Sequence, residues 1–367
     1  MDAWSMPPTG LYNVGSTCCA NTLIQCMFHT PALFEFIHTG ADRAETSALP
    51  RTTALWQPLR ELFKEMHTTG ERALKPRAFL RSLVVAAKGL LQPGEQWDLN
   101  EVWTLLIDRL TEELKGSMGE GASPQGYPSM FFETAERRYQ MAPMIDKANG
   151  AWVTAVGRSD PLWSLVTHGL LIGQMQCLTC KYTCHNLEPF TSISVPIRAQ
   201  EEPVTLNDCF FDYFKTESID EWTCDHCKEK RSSEKLARFW TASDVLAIHI
   251  KRFGYRDNGH SYHIKTPLAI PDDFTIQVGT EIAYEKNKRY RLRAIGLHYG
   301  GIHGGHYVAL CRCALSKDGG GGATEEAWYL FDDDHVQKVS REDVAAGMQR
   351  NRNAYMLFYE RYDGAAD

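Results

Sequence analysis

The sequence predicts an α+β fold, because helical and strand patterns occupy different parts of the chain. From Ala20 to Phe28 the apolar residues recur with the spacing of a packed helix, and residues 99–110 repeat that spacing. Short runs rich in β-branched and aromatic residues dominate the second half. These runs are residues 245–250, 307–310, 328–331 and 355–359. Two Cys-x-x-Cys pairs lie between the two textures, so the predicted order is helical lobe, cysteine-rich insert and sheet.

The composition is that of an ordinary globular protein. The chain has 367 residues, 43% of them hydrophobic and 23% charged, which argues against disorder. This length predicts two domains or one large domain with sub-lobes. The formal net charge is −7, so the chain lacks the basic face that nucleic-acid binding requires. A weakly acidic surface instead attracts a substrate with a basic segment.

We expect the chain to act inside a cell, in the cytoplasm, the nucleus or both. No apolar stretch is long enough to span a membrane. The first eight residues have neither the basic region nor the apolar core of a signal peptide. In a reducing compartment the 11 cysteines are metal ligands, nucleophiles or core residues rather than a disulfide framework.

Cys18 is the candidate nucleophile. It follows a glycine-containing turn and opens the first amphipathic helix, where free N–H groups and the helix dipole favour the thiolate. Asn13 lies five residues upstream and can turn its amide toward a developing oxyanion, beside the backbone N–H of Cys18. The alternative at this point is that Cys18 and Cys19 are small core residues under a turn.

A nucleophilic thiol needs a base, and the base needs an orienting group. His306 is the best-placed histidine because it opens a strand after a glycine-rich segment, whereas His298 and His303 fit loop positions without a chemical role. The next strand ends in the aspartates 332–334. A carboxylate there can accept a hydrogen bond from the imidazole and fix its tautomer. Asp332 and Asp333 are both candidates, and Asp334 fits a solvated turn.

The two Cys-x-x-Cys pairs predict a structural zinc site. Cys177 and Cys180 form the first pair, and Cys224 and Cys227 form the second. Four thiolates fill the tetrahedral shell of zinc and leave no open position for water, which disfavours a zinc-dependent hydrolase. The long stretch of sequence between the two pairs suits two knuckles at the ends of long antiparallel strands. Reduced cysteines without metal are the alternative.

Several segments together resemble the ubiquitin-specific proteases, a papain-like deubiquitinase family. Residues 10–25 resemble the cysteine box of that family, and residues 292–310 with 328–336 resemble its histidine box. Residues 96–101 (Gln-Trp-Asp-Leu-Asn-Glu) are similar to its Gln-Gln-Asp-x-x-Glu segment. Residues 243–253 are similar to the strand that usually ends in Leu-Lys-Arg-Phe. These landmarks occur in family order over nearly the whole chain.

The resemblance implies a papain-like core with a helical thumb, a β-sheet palm and zinc-ribbon fingers. We expect a single catalytic domain over residues 1–367, with the thumb at 10–165, the fingers at 166–242 and the palm at 243–367. Few residues lie outside the landmarks, so we expect no additional ubiquitin-like or zinc-finger module.

The resemblance also assigns roles position by position. Cys18 matches the nucleophile, His306 the base and later acid, and Asp332 the group that orients His306. Asn13 matches the side chain of the oxyanion hole. The positions expected to bind substrate are Asp98 and Glu101, which match acidic residues that receive arginines of the ubiquitin tail, and Gly304 and Gly305, which line the channel for the terminal Gly-Gly.

Some positions depart from the family pattern. Ser16 stands where asparagine is usual and Cys19 where an aromatic residue is usual, and we expect altered packing rather than inactivity. Trp97 replaces a polar residue and is expected to reshape the thumb surface near the tail. All of the matched catalytic positions are retained.

The leading hypothesis is a thiol protease that cleaves the isopeptide or peptide bond after the C-terminal glycine of ubiquitin. Its partners would be ubiquitin and ubiquitin-conjugated proteins, with neither nucleic acid nor membrane, and the chain would act as a monomer with one structural zinc ion. One alternative is the same chemistry on another modifier ending in Gly-Gly. The other is a non-catalytic ubiquitin-binding module, which would have no need of a catalytic triad.

Overall fold

The fold is described from a computed structural model. The described residues are 6–39, 55–115, 135–157, 159–255, 258–279, 284–302, 304–316 and 324–362. The glycine-rich segments 116–126 and 319–322, which composition predicts to be loops, lie outside the described residues, as does His303.

Helices occupy mainly the first half of the chain and strands the second, as the sequence predicts. The helices are α1 Cys18–Phe28, α2 Pro31–Thr39, α3 Trp56–Thr68, α4 Arg77–Ala86, α5 Leu99–Glu113, α6 Ala135–Val156, α7 Pro161–Thr167, α8 Leu206–Phe214 and α9 Arg341–Gln349. The strands are β1 Gly10–Leu11, β2 Ala73–Leu74, β3 Gly169–Cys177, β4 Thr183–Phe190, β5 Ile193–Pro196, β6 Val204–Thr205, β7 Glu217–Thr223, β8 Lys230–Thr241, β9 Val245–Lys251, β10 Phe253–Tyr255, β11 Ser261–His263, β12 Leu268–Ala269, β13 Asp273–Gly279, β14 Tyr284–Gly301, β15 Gly304–Ser316, β16 Thr324–Asp332, β17 His335–Val339 and β18 Ala354–Arg361.

The larger sheet, the palm, has eight strands. Its order is β17-β16-β15-β14-β18-β9-β5, and β13 also pairs with β14. The four apolar runs predicted as strands lie in β9, β15, β16 and β18, so that prediction is confirmed. The palm pairs are antiparallel apart from β5 with β9, which are parallel.

The smaller sheet, the fingers, has four antiparallel strands in the order β4-β3-β8-β7. It is built from two separate stretches of sequence, because β5 pairs with β9 in the palm before the chain returns to the fingers at β7. Residues 166–242 therefore contribute strands to both sheets.

The helices α1–α5 and α7, the thumb, share a hydrophobic core with one face of the palm. Every residue of α1 is buried, and this helix packs against β15. On the thumb side of the palm, Trp103 of α5 meets Phe358 of β18 with ring centroids 5.3 Å apart. A second core includes residues of α8 and α9 together with palm strands, and a third joins α6 to the fingers through Trp152 and Trp240.

Helix boundaries follow local chemistry. Pro31, which predicts the end of the first helix, begins α2 after α1 has ended at Phe28. Asp98 caps α5, because its Oδ1 accepts from the backbone N–H groups of Asn100 and Glu101 at 2.9 and 3.0 Å. Within the described ranges, none of the helices is long and apolar enough to cross a membrane.

Candidate active site at the thumb–palm junction

The turn before Cys18 is held by the side chain of Asn13. Its Oδ1 accepts hydrogen bonds from the backbone N–H groups of Gly15 and Thr17, each at 3.1 Å. Gly15 and Ser16 both adopt positive φ, at 121° and 52°. Asparagine tolerates the left-handed conformation of residue 16 better than serine does. The turn directs the chain into α1 at Cys18.

The Cys18 side chain is buried against the start of β15. The backbone N–H of Tyr307 and those of Cys18 and Cys19 all stabilise its thiolate. Burial acts in the opposite direction and is the larger effect, so the pKa of the Cys18 thiol is raised. The backbone N–H groups at the helix start thus favour the thiolate, but burial outweighs them, and a neighbouring base has to take the proton.

His306 lies beside Tyr307 on β15, and its Nε2 is 2.6 Å from Oδ1 of Asp332 at the end of β16. A carboxylate can only accept, so this contact places the ring proton on Nε2. Nδ1 is then left as the basic nitrogen. The β15–β16 pairing is what brings these two residues together, although they are far apart in sequence.

Asp333 contacts residues other than His306. Its carboxylate accepts from the side-chain amides of Asn13 at 2.9 Å and Asn21 at 2.8 Å. Its backbone oxygen accepts from the N–H of Leu11 at 2.9 Å. The structure thus separates the two aspartates that the sequence leaves as alternatives: Asp332 contacts the imidazole, and Asp333 ties the residues around Cys18 to the end of β16.

His298 lies in β14 rather than in a loop, because the strand continues through the glycines to Gly301. Its ring is buried among Phe253, Tyr307 and Tyr355, with centroids 5.3, 4.5 and 5.8 Å away. A Cβ on Gly305 would lie 2.3 Å from its Nε2, so only glycine fits there.

The two acidic residues expected to bind substrate lie at the start of α5. Asp98 already caps the helix and also accepts a hydrogen bond from the hydroxyl of Tyr355. The Glu101 side chain is exposed. Partial desolvation of its carboxylate by the surrounding protein, together with the charge of Asp98, raises its pKa. Glu101 therefore offers its carboxylate to solvent, whereas Asp98 is engaged within the fold.

Gln96, the first residue of the segment that resembles Gln-Gln-Asp-x-x-Glu, makes a contact that was not predicted from the sequence. Its Oε1 accepts from the N–H of Gly305 at 2.6 Å, and its Nε2 donates to the carbonyl of Gly305 at 2.9 Å. The neighbouring Trp97 is buried in the thumb core and donates to the carbonyl of Gln92 at 2.9 Å. Trp97 therefore packs inside the thumb, which corrects the expectation that it reshapes the surface.

The four cysteines of the two pairs meet at the tip of the fingers. The Sγ atoms of this fingertip cluster lie within 4.8 Å of one another, and the members are Cys177, Cys180, Cys224 and Cys227. The Sγ atoms of Cys180 and Cys224 are 3.7 Å apart. A tetrahedral site with Zn–S bonds of about 2.3 Å requires S···S separations of about 3.8 Å. The donor set and its spacing therefore fit a tetrahedral metal ion.

Both fingertip knuckles have the same backbone form. The N–H of Lys181 donates to the carbonyl of Cys177 at 2.9 Å, and that of Lys228 donates to the carbonyl of Cys224 at 2.8 Å. Both lysines are left-handed, with φ of 60° and 61°. His226 stacks on Tyr182 outside the cluster.

Comparison with known proteins decides the family. A sequence profile described as "Ubiquitin carboxyl-terminal hydrolase" matches residues 9–359. The chain belongs to the ubiquitin carboxyl-terminal hydrolase family. Members of this family are cysteine-type deubiquitinating enzymes, which agrees with the resemblance seen in the sequence.

Named relatives agree with the family assignment. Ubiquitin carboxyl-terminal hydrolase 21 of Bos taurus is 27% identical over 96% of this chain and 61% of its own length. Ubiquitin carboxyl-terminal hydrolase 4 of Saccharomyces cerevisiae is 24% identical over 97% of this chain and 39% of its own length. The chain thus spans only part of the length of these relatives.

Solved structures share the fold of this chain. The SAGA DUB module of Ubp8, Sgf11, Sus1 and Sgf73 bound to ubiquitin aldehyde aligns over all of this chain and 71% of the matched chain, with a TM-score of 0.69 and 20% identity. The same module bound to monoubiquitin aligns with a TM-score of 0.70 and 20% identity. The α+β architecture of thumb, palm and fingers is that of these proteins.

Proposed function

We propose that this chain is a deubiquitinating thiol protease that hydrolyses the bond after the C-terminal glycine of ubiquitin, in ubiquitin-conjugated proteins. The observation that carries the proposal is the 2.6 Å contact of His306 with Asp332, one residue from the backbone N–H that faces the Cys18 thiol. A nucleophile, a base and an orienting carboxylate in this order are the components of thiol acyl transfer.

In the first half-reaction Nδ1 of His306 takes the proton of Cys18. The thiolate then attacks the carbonyl carbon of the terminal glycine, and a tetrahedral oxyanion forms. His306 returns the proton to the leaving amine of the substrate lysine, the C–N bond breaks, and a thioester to Cys18 remains. Asp332 holds the imidazole and stabilises its charged form during this transfer.

The oxyanion would be stabilised by the backbone N–H of Cys18 and by the side chain of Asn13. The Asn13 amide has two N–H donors. One donates to Asp333, and the other is available to the oxyanion. Because Oδ1 of Asn13 is held by the turn and its nitrogen by Asp333, the donor is preorganised. Asp333 is thus a positioning residue for Asn13.

In the second half-reaction His306 removes a proton from water, and the resulting hydroxide attacks the thioester. The C–S bond breaks, ubiquitin leaves with a free carboxylate, and Cys18 regains its proton. We assign Glu101, with Asp98 beside it, to the basic residues of the ubiquitin tail. Gly304 and Gly305 would admit a tail that ends in Gly-Gly, since they present no side chain.

The fingertip cluster would hold one zinc ion, and its role is structural. Four thiolates complete a tetrahedral shell, so the ion supplies rigidity to the end of the fingers rather than a bound water. Its ligands are distributed over the two knuckles, so binding would fix the β3–β4 and β7–β8 ends to each other.

The test is the turnover of ubiquitin carrying a fluorogenic amide at its C-terminal glycine. Wild type should release the fluorophore, and Cys18→Ala should not. Matched substrates built on other modifiers that end in Gly-Gly should be cleaved much more slowly. No turnover with tight binding of ubiquitin would support the non-catalytic binding module, and preferential cleavage of another modifier would replace ubiquitin as the substrate.

A further inference from the structure

Among the described residues, one edge of β15 has no strand partner next to the proposed base. Pairing of β15 with β16 begins at Ala309, whereas pairing with β14 extends to Gly304. Within the part of the chain that the structure describes, residues 304–308 therefore have a neighbouring strand on one side only. This stretch includes His306 and two glycines, and glycine has the greatest backbone freedom of any residue.

Groups from the thumb take the place of the missing strand. Gly305 gives both of its backbone hydrogen-bonding groups to the Gln96 side chain, at 2.6 and 2.9 Å. The backbone N–H of Tyr307 faces the Cys18 thiol. In an antiparallel strand, alternate residues direct their backbone groups to the same side. Gly305 and Tyr307 thus face the thumb, and His306 lies between them.

The catalytic groups come from both sides of this junction. Cys18 belongs to the thumb helix α1, whereas His306 and Asp332 belong to palm strands. Their relative position depends on contacts between the thumb and the palm. The two hydrogen bonds of Gln96 are such a contact, and they act on the residue that immediately precedes the base.

We propose that Gln96 is a positioning residue that aligns His306 with Cys18 by acting as a substitute strand partner for Gly305. The inference rests on the proposed function. An amide suits this task, because it carries an acceptor and a donor and so satisfies the N–H and the carbonyl of one residue together. Reacting groups displaced by about 1 Å can lose on the order of 100-fold in rate.

The test compares three variants by steady-state hydrolysis of the fluorogenic ubiquitin amide. Gln96→Ala removes both hydrogen bonds, and we expect kcat to fall about 10- to 100-fold with little change in KM. Gln96→Glu retains the acceptor for the Gly305 N–H but lacks the donor, so it should recover part of the loss. Gln57→Ala is the control, because Gln57 is an exposed residue whose side chain donates to Glu61 in its own helix, away from Gly305.

A second measurement needs no ubiquitin. The rate of iodoacetamide alkylation at Cys18, followed by mass spectrometry of the Cys18 peptide as a function of pH, reports how well a base assists the thiol. The titratable groups that face the pair are Asp332, Asp333 and His298. Gln96→Ala should move the alkylation profile of Cys18 to higher pH, and Gln57→Ala should leave it unchanged.

The outcomes separate the two proposals. If wild type fails to cleave ubiquitin but the alkylation profile still shifts in Gln96→Ala, the proposed function is wrong and the positioning role stands. An unchanged profile together with an unchanged kcat would overturn the positioning role. A rise in kcat/KM would also overturn it, because Gln96 would then compete with the substrate for Gly305. A change confined to KM would make Gln96 a substrate contact.

Discussion

The thumb–palm junction and the fingertip cluster both gather reactive side chains, but they do so by different routes. At the fingertip, two copies of the same four-residue spacing fold into knuckles with matching backbone hydrogen bonds. At the junction, Cys18, His306 and Asp332 come from α1, β15 and β16 and share no local motif. The fingertip is therefore encoded locally within each half, whereas the junction depends on the packing of α1 against the palm.

If this contrast is right, the largest effect belongs to Asp332. Asp332→Ala removes the group that orients His306, and we expect kcat to fall on the order of 10²- to 10⁴-fold. Asp333→Ala should cost less, since Asp333 acts through Asn13 and Asn21 rather than on the base. Steady-state kinetics with the fluorogenic ubiquitin amide measure both. The reverse order would show that Asp333 is the orienting carboxylate.

Substitution of Asn13 tests the proposed oxyanion hole at the thumb–palm junction. Asn13→Ala should lower kcat on the order of 10²- to 10³-fold, because a preorganised donor is lost. Unchanged turnover at saturating substrate would remove Asn13 from the oxyanion hole. Asn13→Asp is the matched variant, since it retains the oxygen that holds Gly15 and Thr17 but has no N–H to donate. It should be as slow as Asn13→Ala.

Removal of one cysteine ligand tests the fingertip cluster, which is the locally encoded member of the comparison. Wild type should carry about one zinc per chain, and Cys224→Ser should lose most of it, because three thiolates leave the tetrahedral shell incomplete. Elemental analysis of protein prepared without chelator measures the metal, and thermal unfolding measures the loss of stability. Cys184→Ser is the control, since Cys184 is a fingers cysteine outside the cluster. Metal-free wild type would contradict the zinc proposal.

Protonation of His29, a buried histidine at the thumb–palm junction, should lower the free energy of unfolding. His29 follows α1, packs against Phe331 of β16, and has its pKa lowered by burial to about 3. An unfolded histidine titrates near pH 6.5, so the unfolded chain binds more protons between about pH 6.5 and 3. The free energy of unfolding should therefore decrease as the pH is lowered through that window. His29 contributes up to about 1.4 kcal/mol per pH unit to this decrease.

Denaturant unfolding at pH 7.5, 6.0, 5.5 and 5.0 measures this slope. His29→Phe keeps an aromatic ring in the core but cannot be protonated, so its slope should be shallower than that of wild type by that amount. The value of the variant at pH 7.5 serves as its own reference. Parallel slopes for the two proteins would show that His29 does not supply the linkage.

The smallest effect belongs to the knuckle lysines. Lys181 and Lys228 adopt a left-handed backbone that costs a non-glycine residue about 1 kcal/mol. Lys181→Gly and Lys228→Gly should therefore each raise the free energy of unfolding by up to that amount. Lys338→Gly, in the exposed part of β17, should lower it instead, because glycine weakens a strand. Equal losses in all three variants would contradict the account.

The sequence predicted what depends on periodicity and short spacing. Such features are the apolar stripes of α1 and α5, the palm strands and the grouping of the four cysteines into one candidate metal site. The cap at Asp98 also carried a signal, since an acidic residue three positions before Glu101 is a helix-start pattern. The segment that begins with Gln96 was singled out by its resemblance, but the contact of Gln96 with Gly305 was not predicted, because long-range packing brings the two residues together.

Two interpretations failed for physical reasons. The glycines around His298 suggested a loop, yet they extend β14 and leave room for the buried ring. Trp97 in place of a polar residue suggested a reshaped thumb surface, yet its side chain is buried in the thumb core. Both errors arose where tertiary burial overrides a local pattern.

The most direct test of the account is reaction with ubiquitin that carries a thiol-reactive warhead in place of its C-terminal carboxylate. Intact mass spectrometry of the wild-type chain should show an adduct of one ubiquitin mass, and Cys18→Ala should show none. That result would establish the nucleophile and the modifier together. A well-folded wild-type chain that gains no adduct, or a Cys18→Ala chain that still gains one, would contradict the central claim that Cys18 attacks the ubiquitin C terminus.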